Sequence, residues 1–538
     1  MKWFRVLFVG WILFLLAIQA TAQQPVPAQQ APIQLTPKDS SKPLDILHAD
    51  RLSFLKKDST QEFQMLVGHV KMRQGNTFVD CDSAVYDKKL NTLQAFGNVH
   101  INDNDTVQTY SDYIIYYANT KTATLQKKVI LTDGKGRLET DELEYDLNSK
   151  LGKYTKGGKV INGNSTLTSK QGIYYGDTKD VYFMDKVLMV DPQNTISTDT
   201  LLYNINTDIT TFVAPTTIFD GVSTIRTRSG TFNNKTGEAD FGERPEIKDS
   251  TQTIVADVMR FDKRTGEGYA TGRLVYRNVQ DGITLLAEEG QFNRDKKTFL
   301  GTKKPVVIFR QDNDSVYMSA DTIYSAVFKD TSAKMVGDTV TTISVKGKAA
   351  DSIRYFQGFH HVRIFSDSMQ GISDSLYYSY KDSIFRFYGN PVIWSGNSQI
   401  TGDTMWLYTR NKKPDRLFVR ENAFSINKTK EGFNNQLRGN SITAYFHNGE
   451  IQYMRAKGSA ESVYYLQDED SAYVGANYAH ADAISIYFEN KELIRVSWVN
   501  QVEGNFYPVR QVPEERQTLR GYKWLEARRP KTRADLFR

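Results

Sequence analysis

Hydrophobic and polar residues alternate along most of this chain. In 92–101, Leu93, Ala95, Gly97, Val99 and Ile101 alternate with Thr92, Gln94, Asn98 and His100, and Phe96 is the one exception. In 141–147, Asp141, Leu143, Tyr145 and Leu147 alternate with Glu142, Glu144 and Asp146. A period of two is the mark of a strand with one buried face. Asp133-Gly134, Lys156-Gly157-Gly158 and Asn162-Gly163-Asn164 punctuate the strands as turns. Helical spacing is scarce, and the abundance of Tyr, Phe, Thr, Val and Ile suits sheet.

The pattern also repeats. Tyr86, Tyr116, Tyr145, Tyr175, Tyr203, Phe232, Phe261 and Phe292 form a ladder with steps of 30, 29, 30, 28, 29, 29 and 31 residues. Four residues before each stands a polar residue: Asp82, Asp112, Asp141, Gln171, Asp199, Arg228, Asp257 and Glu288. Val70, Val99, Val129, Val160 and Val187 keep the same step. Tyr324, Tyr378, Leu407, Tyr445 and Ile486 continue the beat more loosely. The period fits neither helical repeats nor propeller blades. It predicts an all-β fold, an elongated stack of antiparallel strands in ~30-residue repeats. The expected layout is a repeat arm at 45–328, an insertion at 329–351 and a more divergent arm at 352–510.

The ends differ from the body. Lys2 and Arg5 precede an apolar run, and Ala20 and Ala22 then mark a cleavage site before Gln23, so 1–22 reads as a signal peptide and the mature chain as exported. Residues 23–44, rich in Gln, Pro, Ala and Ser, read as a flexible linker. Cys81 is the only cysteine of the 538 residues, so no disulfide forms within the chain. The net charge of +6 sits in the leader and in the tail beyond Pro513, where eight Lys/Arg face four Asp/Glu. The body is balanced, which argues against a nucleic-acid partner. The basic tail, 511–538, lacks the repeat and is expected to dock on a partner or an anionic headgroup, or else to be a disordered solubilising tail, and not to pack on the body, so that removing 513–538 leaves the body's stability almost unchanged.

Phe96-Gly97-Asn98-Val99-His100-Ile101, Ser111-Asp112-Tyr113-Ile114-Ile115-Tyr116 and Thr140-Asp141-Glu142-Leu143-Glu144-Tyr145-Asp146 resemble phrases of the OstA-like family, clearly over 48–300 and more weakly to about 500. That family includes the periplasmic bridge protein and the outer-membrane assembly protein of lipopolysaccharide transport. The resemblance implies a folded-over sheet, a β-jelly-roll sleeve with an apolar interior that holds lipid A. It also implies partners of the same transport system at the inner and outer membranes, joined head-to-tail through sheet edges. The chain is several times longer than the usual bridge protein and lacks the further length of a membrane barrel.

No nucleophile elbow, phosphate loop, Cys/His dyad or metal spacing stands out, so neither enzyme activity nor a cofactor is expected. The Asp ladder lacks the Gly-rich pattern of a calcium roll and reads as structural. Asp103-Asn104-Asp105 and Asp312-Asn313-Asp314 read as turns, and His360-His361, on opposite strand faces, as unable to chelate together. The groove candidates are the in-phase apolar residues Val99, Ile101, Ile114, Val129, Leu131, Leu143, Val160, Ile173, Val187 and Leu201. Two other readings compete with a periplasmic lipid conduit: a structural or adhesive rod filled by its own side chains, and a polysaccharide-acting β-helix enzyme.

Overall fold

A computed structural model describes residues 44–537 except 57–61, 104–106, 135, 281, 311–314, 330–333, 337–338, 342–351, 412, 448, 469, 471 and 490–491. The leader with Ala20, Ala22 and Gln23, the linker to 43, most of 329–351, and both Asp-Asn-Asp segments apart from Asp103 lie outside the described residues. The fold is all-β and antiparallel, as the alternation predicts. One sheet contains 40 strands, and Lys334–Val336 with Thr339–Thr341 makes a separate hairpin. Ser315–Ser319 and Thr322–Lys329 both pair with Ser352–Phe365, so the sheet runs on across the insertion. At ~4.8 Å per layer, the stack is on the order of 130 Å long.

Every second layer carries a corner. In Glu62–Gln74 the register jumps between Val67 and Val70, and Gly68 and His69 take positive φ. The same two-residue left-handed step recurs at Gly97-Asn98, Lys127-Lys128, Asp185-Lys186, Glu243-Arg244, Gly272-Arg273, Lys303-Lys304 and His360-His361. Two residues on one strand thus face one on each neighbour, a β-bulge that bends the sheet. A left-handed non-glycine residue costs roughly 1–2 kcal/mol, and unbroken pairing on both sides offsets it.

The polar ladder is what faces these corners. Asp82 stands opposite Gly97-Asn98 and accepts a hydrogen bond from Asn98 Nδ2 at 3.0 Å. Asp112 meets Lys128 at 3.3 Å, and Asp257 meets Arg244 at 2.9 Å and Arg273 at 2.7 Å. His360 and His361 turn to different carboxylates, Asp374 at 3.2 Å and Asp321 at 2.9 Å. The ladder is therefore structural, although its partners are mostly side chains of the bulge rather than backbone groups.

Folding along the line of corners makes two walls that face each other. Tyr276 of one wall lies 5.2 Å from Phe299 of the other, and Phe309 packs edge-on against Phe356, Tyr378 and Phe385 across the fold.

The tail does not stand off the sheet, contrary to the sequence expectation. It runs back across the outer face of one wall. Gln436 donates to the Gln517 carbonyl and accepts from the Leu519 N–H, both at 2.8 Å. Gln399 does the same with Lys523 and Leu525, both at 2.7 Å. Arg529 donates to Gln370, and Ser319 to the carbonyl of Leu536. Leu519 is buried with Phe424, Ile426, Val463 and Tyr465, and Leu525 packs on Ile372, Val392 and Trp394. An apolar outer face on the late strands needs a cover, and alternation within the tail itself carries no sign of this role.

Candidate functional site

The inner faces of the two walls form a trough, and direct strand pairing arranges its side chains in continuous rows. The corner row of the first wall runs Leu66, Ala84, Ala95, Ile114, Leu125, Leu143, and further on through Phe183, Leu201, Phe212, Phe241 and Met259. Beside it, nearer the mouth, lies an aromatic row. Tyr86 pairs with Leu93, Leu93 with Tyr116, Tyr116 with Ala123, and Ala123 with Tyr145. Tyr203, Phe232, Phe261 and Phe292 continue it. Large rings alternate with small residues such as Ala239 and Gly268, so each ring has a shelf to lie on; a Cβ on Gly268 would run into the Phe292 ring. The sequence ladder is displaced at three points: Tyr174, Ser325 and Ala444 occupy the row, not Tyr175, Tyr324 or Tyr445.

The second wall is aliphatic. Val79, Ile101, Thr109, Leu131, Leu138, Val160, Leu167, Met189, Ile196, Ile218 and Ile225 pair one after the next. Nearer the corner, Val70, Val99, Val129 and Val187 are buried.

Nine of the ten groove candidates lie on the inner faces. Val99, Val129 and Val187 sit in the crotch of the second wall, and Ile101, Leu131 and Val160 in its half-buried row. Ile114, Leu143 and Leu201 are buried in the corner row of the first wall. Ile173 faces the other way: it pairs with Lys153 and Tyr182, while its neighbour Gly172 takes the inner position opposite Phe183.

Exposure divides the trough in two. From Val79 to Ile247 the large residues of the two mouth-side rows are mostly half-buried: Tyr86, Tyr116, Tyr145, Tyr203 and Phe232 on one wall, Ile101, Leu131, Leu138, Val160, Met189 and Ile225 on the other. From Ile254 onward the corresponding residues are buried almost throughout, including Leu285, Val307, Met318, Phe356, Leu407, Leu417 and Met454, in one cluster reaching Phe488. The first section is a lined trough and the second is filled by its own side chains.

At the rim of the first section the tyrosine hydroxyls are tied down. Tyr86 donates to Asn91 at 2.8 Å and Tyr203 to Asp208 at 2.9 Å, which leaves the ring faces to the trough. Burial, then the Asp208 carboxylate, raises the Tyr203 phenol well above its usual value, so it stays neutral. Deep in the corner, Tyr154 bridges to Ser169 at 2.6 Å, and burial raises its phenol too.

Where the two sections meet, turns of the two walls touch. Arg294 reaches Asp220 at 2.7 Å, and Lys263 reaches Asn194 at 3.1 Å. Burial works against ionisation of Asp220, but the N–H groups of Ser223 and Val222 and the Arg294 guanidinium outweigh it and lower its carboxyl below the ordinary value. A small cavity of about 50 Å³, lined by Ile225, Ile254, Phe261, Tyr276 and Phe292, lies at this junction. Sequence reasoning missed these four turn residues. Their partners are 74 and 69 positions away, and no local pattern marks such a pair.

A long antiparallel sheet folded along a line of bulges, with an apolar trough between its walls, defines a sheath-like β-repeat protein. Residues 42–199 and 184–257 match the family model described as OstA-like protein. The family is tied in general terms to lipopolysaccharide and organic-solvent transport. No curated protein matches the chain.

Proposed function

We propose that this protein is a periplasmic, non-catalytic bridge component that carries lipopolysaccharide toward the outer membrane and shields the acyl chains of lipid A in its trough. The observation that carries this reading is the first section itself, where apolar rows on both facing walls stay half-exposed over successive layers. A folded protein leaves such surface uncovered at a cost, and each methylene taken out of water gains ~0.8 kcal/mol. One 12-carbon chain is thus worth on the order of 10 kcal/mol to whatever covers it. The OstA-like match over 42–257 falls on this same section. Membrane-bound partners of the same transport system would join at the free edge strands, Arg51–Lys56 at one end and Glu503–Pro508 at the other, whose side chains are almost all exposed.

The test is photo-crosslinking in living cells. A photoreactive residue at Ile101, Leu131 or Val160 is expected to give lipopolysaccharide adducts. Glu142 and Glu144, on the outer face, should give few. Uniform absence of adducts from folded, exported protein would overturn the reading. The self-filled interior from 254 to 488 favours a structural rod for that part of the chain alone.

A further inference from the structure

We infer that the acyl-binding stretch of the trough is confined to the first section, about 62–250, and ends blind at the junction marked by Arg294–Asp220 and Lys263–Asn194. This rests on the lipid-carrier reading and narrows it: lipid enters and leaves within the first section and never threads the second.

Three features meet around this place along the stack. The first is burial. In the aromatic row, Phe232 and Phe261 are half-buried, whereas Phe292, Phe299 and Phe356 are buried. In the aliphatic row, buried Leu167, Ile196 and Ile218 alternate with half-buried Val160, Met189, Ile225 and Ile247, and from Ile254 through Tyr276 and Leu285 burial is continuous. Both walls change within the same few layers.

The second is filling. Just past the change, Tyr276 reaches Phe299 across the fold, and Phe309 then inserts among Phe356, Tyr378 and Phe385. An acyl chain advancing here would have to displace rings packed as in any protein core, where even one added methylene strains its neighbours. The trough's own side chains already supply the apolar contact that makes binding favourable upstream.

The third is the mouth. The Arg294–Asp220 and Lys263–Asn194 contacts join turn to turn across the opening, at the level of Phe261 and Phe292 on the first wall and a few layers before Ile254 on the second. Arg294 also lies over the Phe261 ring, 5.6 Å from its centre, so the bridge is seated on the aromatic row. One cavity lies between the walls at the junction, and a second of similar size lies beyond it among Phe309, Ile364, Tyr378 and Phe385.

The test uses the unmodified full-length protein, because bulky substitutions in the packed section would confuse exclusion with misfolding. The purified chain is incubated with lipopolysaccharide bearing a diazirine in one acyl chain, irradiated, and mapped by peptide mass spectrometry, with excess unlabelled lipopolysaccharide as competitor. Competed adducts are expected in peptides containing Tyr116, Leu138 and Tyr203, several-fold above those containing Phe356, Leu417 or Leu437. Comparable competed adducts in both sections would overturn this inference while leaving the carrier reading intact. Competed adducts in neither section would overturn both.

Discussion

At the scale of single residues, the repeat phrase resolves into separate tasks. In 140–146, Thr140 donates to the Gly157 carbonyl at 2.7 Å, beside a corner, and Asp141 faces the bulge at Lys127-Lys128. Leu143 fills the corner row, Tyr145 lines the trough, and Asp146 accepts from the N–H groups of Asn148 and Ser149 to close the turn. This division changes what a mutation tests. Leu143 is only 4 % exposed, so Leu143→Asp should destabilise the first section by roughly 3–5 kcal/mol, as a buried cavity with an unpaired charge does. Leu138→Asp, at a half-buried position, should cost about 1–2 kcal/mol and act mainly on lipid adduct yield. Denaturant unfolding followed by a probe in the first section separates the two; equal losses would mean that both positions are core. Cys81 offers a second readout. Burial, and then the charges of Asp82 and Asp80, push its thiol up to about 11. A thiol reagent at neutral pH should therefore label it only as fast as the first section opens. Labelling of the native protein at the rate of a free thiol would refute its burial in the trough.

At the scale of elements, the corners and the inter-wall bridge decide shape. Most corners are local, written as a left-handed pair and its facing residue, and so leave a trace in the sequence. The Arg294–Asp220 bridge is not local, and it responds to pH. Its carboxyl is lowered on folding, so the bridge contributes fully above the unfolded value, about 3.9, and is lost as pH falls through the lower folded value. Spin labels at Val222 and Lys296, in the two turns, should report a constant distance from neutral pH down to about pH 5 and broaden only in stronger acid. Asp220→Asn should broaden the distribution at neutral pH. A distribution unchanged by that substitution would show that packing alone holds the junction.

At the scale of the whole molecule, each layer touches chiefly its neighbours, so stability is regional. The tail is a strap on the late strands only. Removing 513–538 uncovers Phe424, Ile426 and Trp394 and leaves the buried amides of Gln399 and Gln436 without their backbone partners. Hydrogen exchange should accelerate in Lys413–Lys428 and Asn434–His447 and stay unchanged in 62–143. Unchanged exchange in the late strands would reinstate the free tail expected from composition.

Much of this architecture was legible in the sequence. Alternation and a 29- to 30-residue beat are enough for strands, antiparallel stacking and the inner face, because side-chain direction along a strand has period two and adjacent layers pair residue by residue. That is why nine groove candidates lie on the inner faces. Ile173 went astray where Tyr174 and Tyr175 stand together and either one fits the beat, a one-residue slip that reverses every side chain in the strand. Tertiary structure alone decided how far apart the walls stand. The open first section, the packed second section, the Arg294–Asp220 bridge and the docking of the tail all depend on side-chain volumes from two walls at once. They join residues some 70 to more than 200 positions apart. A periodic pattern describes each wall separately and holds no information about the gap between them.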